Sequence, residues 1–162
     1  MIRALAATLL CVVASAARAG DDPSGIAKTV GLKFAAACNA HDVDAVMALY
    51  RDDARVVYPG EGETAADKTQ LRALVGATCV PNGPDFKLVG YKSVWVDAAH
   101  TTIASLGDWN ISGSEPDGRA MVTHVRATEV IVKTPAGWRY VVDHASLGVP
   151  HPPAEPPPPA AP

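Results

Sequence analysis

At Pro84 the apolar residues of this chain change period, and that switch limits the fold more than any other feature. Upstream, apolar positions recur at helical spacing; downstream the pattern is extended and stays so. Four long strands are predicted after the switch, Asp85–Asp97, His100–Ser112, Arg119–Lys133 and Trp138–Val149. Hairpin-length turns join them, two marked by "EPDG" and "TPAG".

Before Pro84, Ile26, Val30, Phe34 and Cys38 recur every four residues behind the candidate cap Ser24, and "NAHD" stops this first helix. Asp42 caps a short second helix with Val43, Val46, Met47 and Tyr50 on one face. "RVVYPG" from Arg55 reads as a strand closed by Pro59 and Gly60. Thr64 and Asp67 have capping-box spacing and open a third helix, whose stripe of Leu71, Leu74 and Val75 ends at Pro81. The order predicts an α+β domain, with three N-terminal helices packed on one face of a mainly antiparallel sheet. No internal repeat is visible.

The two ends read differently from this core. Met1–Ala19 has a basic residue at Arg3, an apolar run from Ala4 to Ala17 and the ending Ala17-Arg18-Ala19, the pattern of a secretory signal cleaved before Gly20. A periplasmic or secreted protein is expected, with no membrane insertion after cleavage. At the other end "PHPPAEPPPPAAP" (150–162) holds eight of the fourteen prolines and almost nothing able to fill a core, so it reads as an extended tail. The folded domain is placed at 24–149. At 162 residues and 48% apolar content the chain suits one domain with a real core.

Loss of Arg3 and Arg18 with the signal leaves 12 Lys plus Arg against 17 Asp plus Glu. No basic run interleaves with aromatics, so neither nucleic acid nor an anionic membrane is an expected partner. Two cysteines survive cleavage, Cys38 and Cys79, near the ends of the first and third helices. In an oxidising compartment a disulfide between them competes with two separately buried thiols.

"VVDHASLGVP" (141–150) gathers the residue types of a nucleophilic triad, but strand geometry excludes one. Asp143 and His144 point to opposite faces, and His144 and Ser146 stand roughly 6–7 Å apart on one face, beyond a base–nucleophile hydrogen bond.

"FAAACNAHDVDAVMALYRDDARVVYPGEGE", followed later by "RATEVIVKTPAGWRYVVDHASLG", resembles the nuclear transport factor 2-like superfamily, in particular its SnoaL-like branch. The second stretch is also similar to the association domain of calcium/calmodulin-dependent kinase. The resemblance covers about residues 24–149. It implies a cone, in which a curved sheet wraps the helices around a pocket open at one end, and a homodimer through the outer sheet face. Set against the ketosteroid isomerases of that superfamily, Phe34 stands where they have an oxyanion-binding Tyr, and Tyr58 where they have the general-base Asp. Both departures argue against steroid isomerisation. Glu129 approximately matches the third member of that site, a protonated Asp.

If Glu129 faces the pocket, so do Val125, Ala127 and Ile131, while His124, Arg126 and Thr128 face out. In the last strand the resemblance puts Val141, Asp143 and Ala145 inside and Trp138, Tyr140, His144 and Ser146 outside. The candidate catalytic pair is therefore Glu129 and Asp143, with Tyr58, Trp109, Phe34 and Tyr50 as ligand-binding walls. Two carboxylates in a partly dry pocket raise each other's pKa, giving one acid and one base. The competing reading pairs Glu129 with Arg119 or Arg139 and gives Asp143 backbone or Tyr hydrogen bonds. His124 and His144 lack the spacing of a zinc motif, so no metal site is assigned and no cofactor is expected. Three functions remain open: binding of a small, largely apolar ligand; a cofactor-independent lyase, isomerase, cyclase or hydrolase; or a dimeric interaction module with a vestigial pocket.

Overall fold

In the computed structural model the described residues are 22–59, 64–114 and 117–147. The signal segment and the proline-rich tail lie outside them. Helix α1 (Pro23–Asn39) starts two residues earlier than a Ser24 cap implies. Asp22 is the cap, accepting from the backbone N–H groups of Ser24 and Gly25, and Pro23 occupies the first turn, where its missing N–H costs nothing. The Ser24 hydroxyl instead accepts from the backbone of Ser93 in β3 (Asp85–Trp95).

At the other end of α1, the Asn39 amide bonds both ways with the backbone of Phe86, at 3.0 and 2.8 Å. Fifteen residues of helix rise about 22 Å and seven residues of strand about 23 Å, so the two tethers hold α1 antiparallel along β3 without strain. Val30, Phe34 and Cys38 are buried on this helix, as their spacing predicts, whereas Ile26, the first position of that stripe, is only partly buried and Ala27 takes the fully buried place beside it.

Asp42 caps α2 (Val43–Met47) as expected, and Val46 and Met47 are buried. Tyr50, however, is not on that helix. It opens β1 (Tyr50–Val57), a strand that begins five residues before Arg55 because Tyr50 pairs in parallel with Tyr140 of β6 (Gly137–Leu147). Thr64 also changes role, since Thr64–Ala65 forms a short strand, β2, against Val56 and Val57. Asp67 alone caps α3 (Lys68–Thr78), while the Gln70 side chain reaches back to the Ala66 N–H. The sequence carries that reciprocal pair three residues later than the Thr64 spacing implies.

The remaining strands are β4 (Thr102–Ser114) and β5 (Ala120–Thr134), close to their expected bounds. The six strands form one mixed sheet in the order β2-β1-β6-β5-β4-β3, antiparallel except for β1 against β6. With β1 and β2 interposed before α3, the three helices do not form a single N-terminal block. Helix α1 packs on β3, and α3 packs on β1 and β2. A disulfide joins Cys38, in the last turn of α1, to Cys79, the C-cap of α3. Among the described residues no helix is long and apolar enough to cross a membrane.

Candidate functional site

Alternation along β5 sends Val125, Ala127, Glu129 and Ile131 to the covered face, where each is 4% exposed or less, and leaves His124, Arg126 and Thr128 outside. Of these inward residues Val125, Ala127 and Glu129 form one wall of a cavity of about 420 Å³. Phe34 of α1 and Phe86 of β3 close it from one side; Leu74, Ala77 and Thr78 of α3 form another wall. Trp109 of β4 and Tyr58 line it as the sequence predicts. Phe34 meets Phe86 and Trp109 edge to face, with ring centres 5.7 and 5.8 Å apart, so this end is rigid and apolar.

The last strand departs from simple alternation. Between the pairs Val130–Val142 and Ile131–Tyr140 the register slips, leaving Val141 as an extra residue on β6. That bulge turns Tyr140 inward beside Asp143, contrary to the expectation that Tyr140 faces out and Val141 in. Tyr140 is 1% exposed and lines the cavity.

Glu129 and Asp143 are register partners across β5 and β6, and both line the cavity. Each is backed by a tyrosine. Tyr91 donates its hydroxyl to Glu129 Oε1 at 2.7 Å, and Tyr50 donates to Asp143 Oδ2 at 2.6 Å. Glu129 Oε2 is buried and has no hydrogen-bond partner among the described residues. Tyr50 thus stands behind the cavity wall rather than in it, with its hydroxyl 3.5 Å from that of Tyr58 and its ring centre 5.1 Å from that of Tyr140.

Tyr91 was not legible as a site residue. Its ring lies between two glycines: a Cβ at Gly31 of α1 would fall 2.5 Å from Tyr91 Cε2, and one at Gly107 of β4 would fall 2.9 Å from Tyr91 Cε1. The absence of a side chain at both positions lets the ring reach inward, where its hydroxyl is also 3.4 Å from that of Tyr140.

Burial, reinforced by the charge of Asp143, pushes the Glu129 carboxyl well above the usual carboxylate range, against the hydrogen bond from Tyr91. Burial also raises Asp143, to about 6, while the Tyr50 hydrogen bond and the nearby His144 restrain it. Both carboxyls therefore keep a proton to higher pH than free side chains do, and the charge of Asp143 adds to the burial that raises Glu129. Burial and the same carboxylates raise Tyr50, Tyr58, Tyr91 and Tyr140, which stay neutral donors.

Neither arginine considered for Glu129 reaches it: Arg119 bonds Asp117 at 2.7 Å, and Arg139 donates to the Trp138 carbonyl. The other half of that reading holds, since Asp143 does accept from a tyrosine. His124 lies opposite Asn110, and His144 opposite Thr128, so the two histidines do not face each other. No group of three or more potential metal-ligating side chains occurs among the described residues. Trp95 and Trp138 pack against each other, 5.9 Å between centres, and neither lines the cavity.

A mixed six-stranded sheet covered by a few helices is consistent with the nuclear transport factor 2-like fold. The model of the SnoaL-like domain matches residues 28–150, and the chain belongs to that family. A comparison with curated proteins found no match. Among solved structures, a provisionally assigned calcium/calmodulin-dependent protein kinase II association domain from Xanthomonas campestris superposes with a TM-score of 0.67 at 17% identity, covering 78% of this chain and 87% of that one. A provisionally assigned dehydratase of the NTF2-like family from Streptomyces avermitilis gives 0.66 at 18% identity, covering 78% and 96%. A ketosteroid isomerase-like protein from Erwinia carotovora gives 0.62 at 19%, covering 80% and 98%. At these identities the likeness shows the fold alone.

Proposed function

We propose that this is an exported small-molecule-binding domain whose cavity takes a small, largely apolar ligand. The observation that carries the reading is Glu129 Oε2, a buried polar atom without a partner at the wall of an otherwise mostly apolar cavity. Such an atom costs about 1–3 kcal/mol if left unmade, and a bound ligand is the natural group to satisfy it. Export follows from the signal pattern of residues 1–19, and the folded domain is taken as 24–149 with a proline-rich tail behind it.

Dimerisation through the outer face of the sheet is part of the proposal. Val94, Ala104, Val130 and Val142 follow one another in register across β3, β4, β5 and β6, and Val94 and Val142 are exposed there, with Leu106 close by.

A second reading, a cofactor-independent lyase, isomerase or cyclase, is favoured by two carboxyls, Glu129 and Asp143, that face each other on the cavity wall and are both raised above the usual carboxylate range by burial. Native mass spectrometry of the mature protein from its own exported fraction tests the first reading. A co-purifying small mass on a dimer is the expected result, and a ligand-free monomer that retains none of the apolar compounds offered to it overturns the reading. Glu129→Gln separates the two, because the amide still donates a hydrogen bond but transfers no proton: binding alone survives it, turnover does not.

A further inference from the structure

The polar end of the cavity specifies more about its occupant than the apolar walls do. Glu129 is 2% exposed, with Oε1 taken by Tyr91 and Oε2 unpartnered. Asp143 faces it across the strand pair and has Oδ2 taken by Tyr50. Directly opposed residues on antiparallel strands have Cβ atoms about 5 Å apart, so one small group between the two carboxyls reaches both. Among the described residues no Lys, Arg or His lines the cavity.

Each class of ligand head meets this arrangement differently. A carboxylate or phosphate finds two carboxyl groups and no cation, and loses its hydration without compensation. An ammonium group donates but cannot accept, so it leaves a Glu129 O–H unsatisfied unless that proton is expelled. A plain hydrocarbon leaves both carboxyls without a partner. A hydroxyl group alone both accepts and donates at one atom.

From this geometry we infer that the cavity selects a neutral ligand bearing a hydroxyl group on an aromatic or alicyclic body, the hydroxyl oxygen accepting from Glu129 Oε2 and its hydrogen going to Asp143. This inference rests on the reading of the cavity as a ligand pocket. Phe34, Phe86 and Trp109 surround the body of such a ligand, and about 420 Å³ admits a two-ring compound.

The test uses four probes with one two-ring body, substituted at the same ring position: ethylnaphthalene, naphthylethanol, naphthylethylamine and naphthylacetate. Their affinities for the mature, disulfide-bonded protein are measured by calorimetry near neutral pH. Naphthylethanol is expected to bind about tenfold more tightly than ethylnaphthalene, the worth of one well-made hydrogen bond, and more tightly than either charged probe. In Glu129→Leu the preference for the alcohol over the hydrocarbon should shrink severalfold, to what the bond to Asp143 alone supplies, while ethylnaphthalene still binds, which shows that the variant is folded. Equal binding of alcohol and hydrocarbon to the unaltered protein, or tighter binding of the amine or the acid, overturns the inference and leaves the apolar pocket standing. Failure of all four probes to bind overturns both.

Discussion

Glu129 and Asp143 stand opposite each other across β5 and β6, and each carboxyl group is held by a different tyrosine, Tyr91 at 2.7 Å and Tyr50 at 2.6 Å. The two supports come from opposite sides of the β5–β6 pair in the sheet order, β3 and β1. The pair is thus fixed on both sides while its remaining capacity points at the cavity.

Because Glu129 takes up its proton more readily folded than unfolded, it stabilises the fold below the ordinary Glu range and loses that contribution as pH rises through its raised value. Glu129→Gln removes this titration. Its melting temperature should match the unaltered protein near pH 4 and exceed it by several degrees at about pH 9. Differential scanning calorimetry at both pH values checks this; identical pH profiles contradict it.

Asp143 is raised to about 6, so its contribution is full below the usual Asp value and fades as pH rises through 6. The groups that set this window are Tyr50, through its hydrogen bond, and His144, both acting against burial, with Glu129 coupled across the strands. Asp143→Asn should remove a loss of up to about 3 kcal/mol between pH 4 and pH 8. Urea unfolding across that range reads it directly, and a slope that persists in the variant would assign the effect elsewhere.

Tyr91→Phe deletes one hydroxyl and leaves Glu129 with neither oxygen bonded by a side chain. The expected cost is about 1–3 kcal/mol, and the Glu129 carboxyl should rise further because the Tyr91 bond holds it down. Carbon-detected NMR titration of the Glu129 carboxyl tests the second effect: a midpoint that stays or falls refutes the supporting role of Tyr91.

The same substitution should act with opposite sign in two helices. At Gly31 an added Cβ meets the Tyr91 ring at 2.5 Å, and Gly107 blocks the ring from the other side, so Gly31→Ala should cost about 1–2 kcal/mol net despite the better helix propensity. At Gly76 of α3 nothing lies within 4 Å, and Gly76→Ala should stabilise by about 0.5–1 kcal/mol. Chemical denaturation of both variants decides whether the ring cradle matters, since equal shifts would mean it does not.

The Cys38–Cys79 bridge spans 41 residues, and loop entropy alone predicts about 4 kcal/mol of stabilisation. Reduction should lower the melting temperature by well over ten degrees for a domain of this size. Alkylation of the unfolded, unreduced protein should add no label, whereas two added labels would mean free thiols.

The inward set on β5 was legible because a two-residue alternation, with Glu129 placed by the resemblance, decides which side chains share a face. Tyr140 was not, because one extra residue at Val141 shifts the phase of β6, and only pairing with β5 reveals it. Tyr50 was misread for a related reason. Its spacing from Val46 is helical, but the backbone of β6, some ninety residues later, draws it into a strand. Tyr91 carried no local signal at all.

The sequence by itself determined the order of the elements apart from β2, the switch at Pro84, the candidate disulfide cysteines and the identity of the two facing carboxyls, since these depend on spacing, composition and a resemblance carried by contiguous segments. The tertiary structure decided which tyrosines hold those carboxyls and which oxygen stays unpartnered. Such contacts join residues 38 and 93 positions apart, through a bulge and between two glycines, and no local period encodes a distance of that kind.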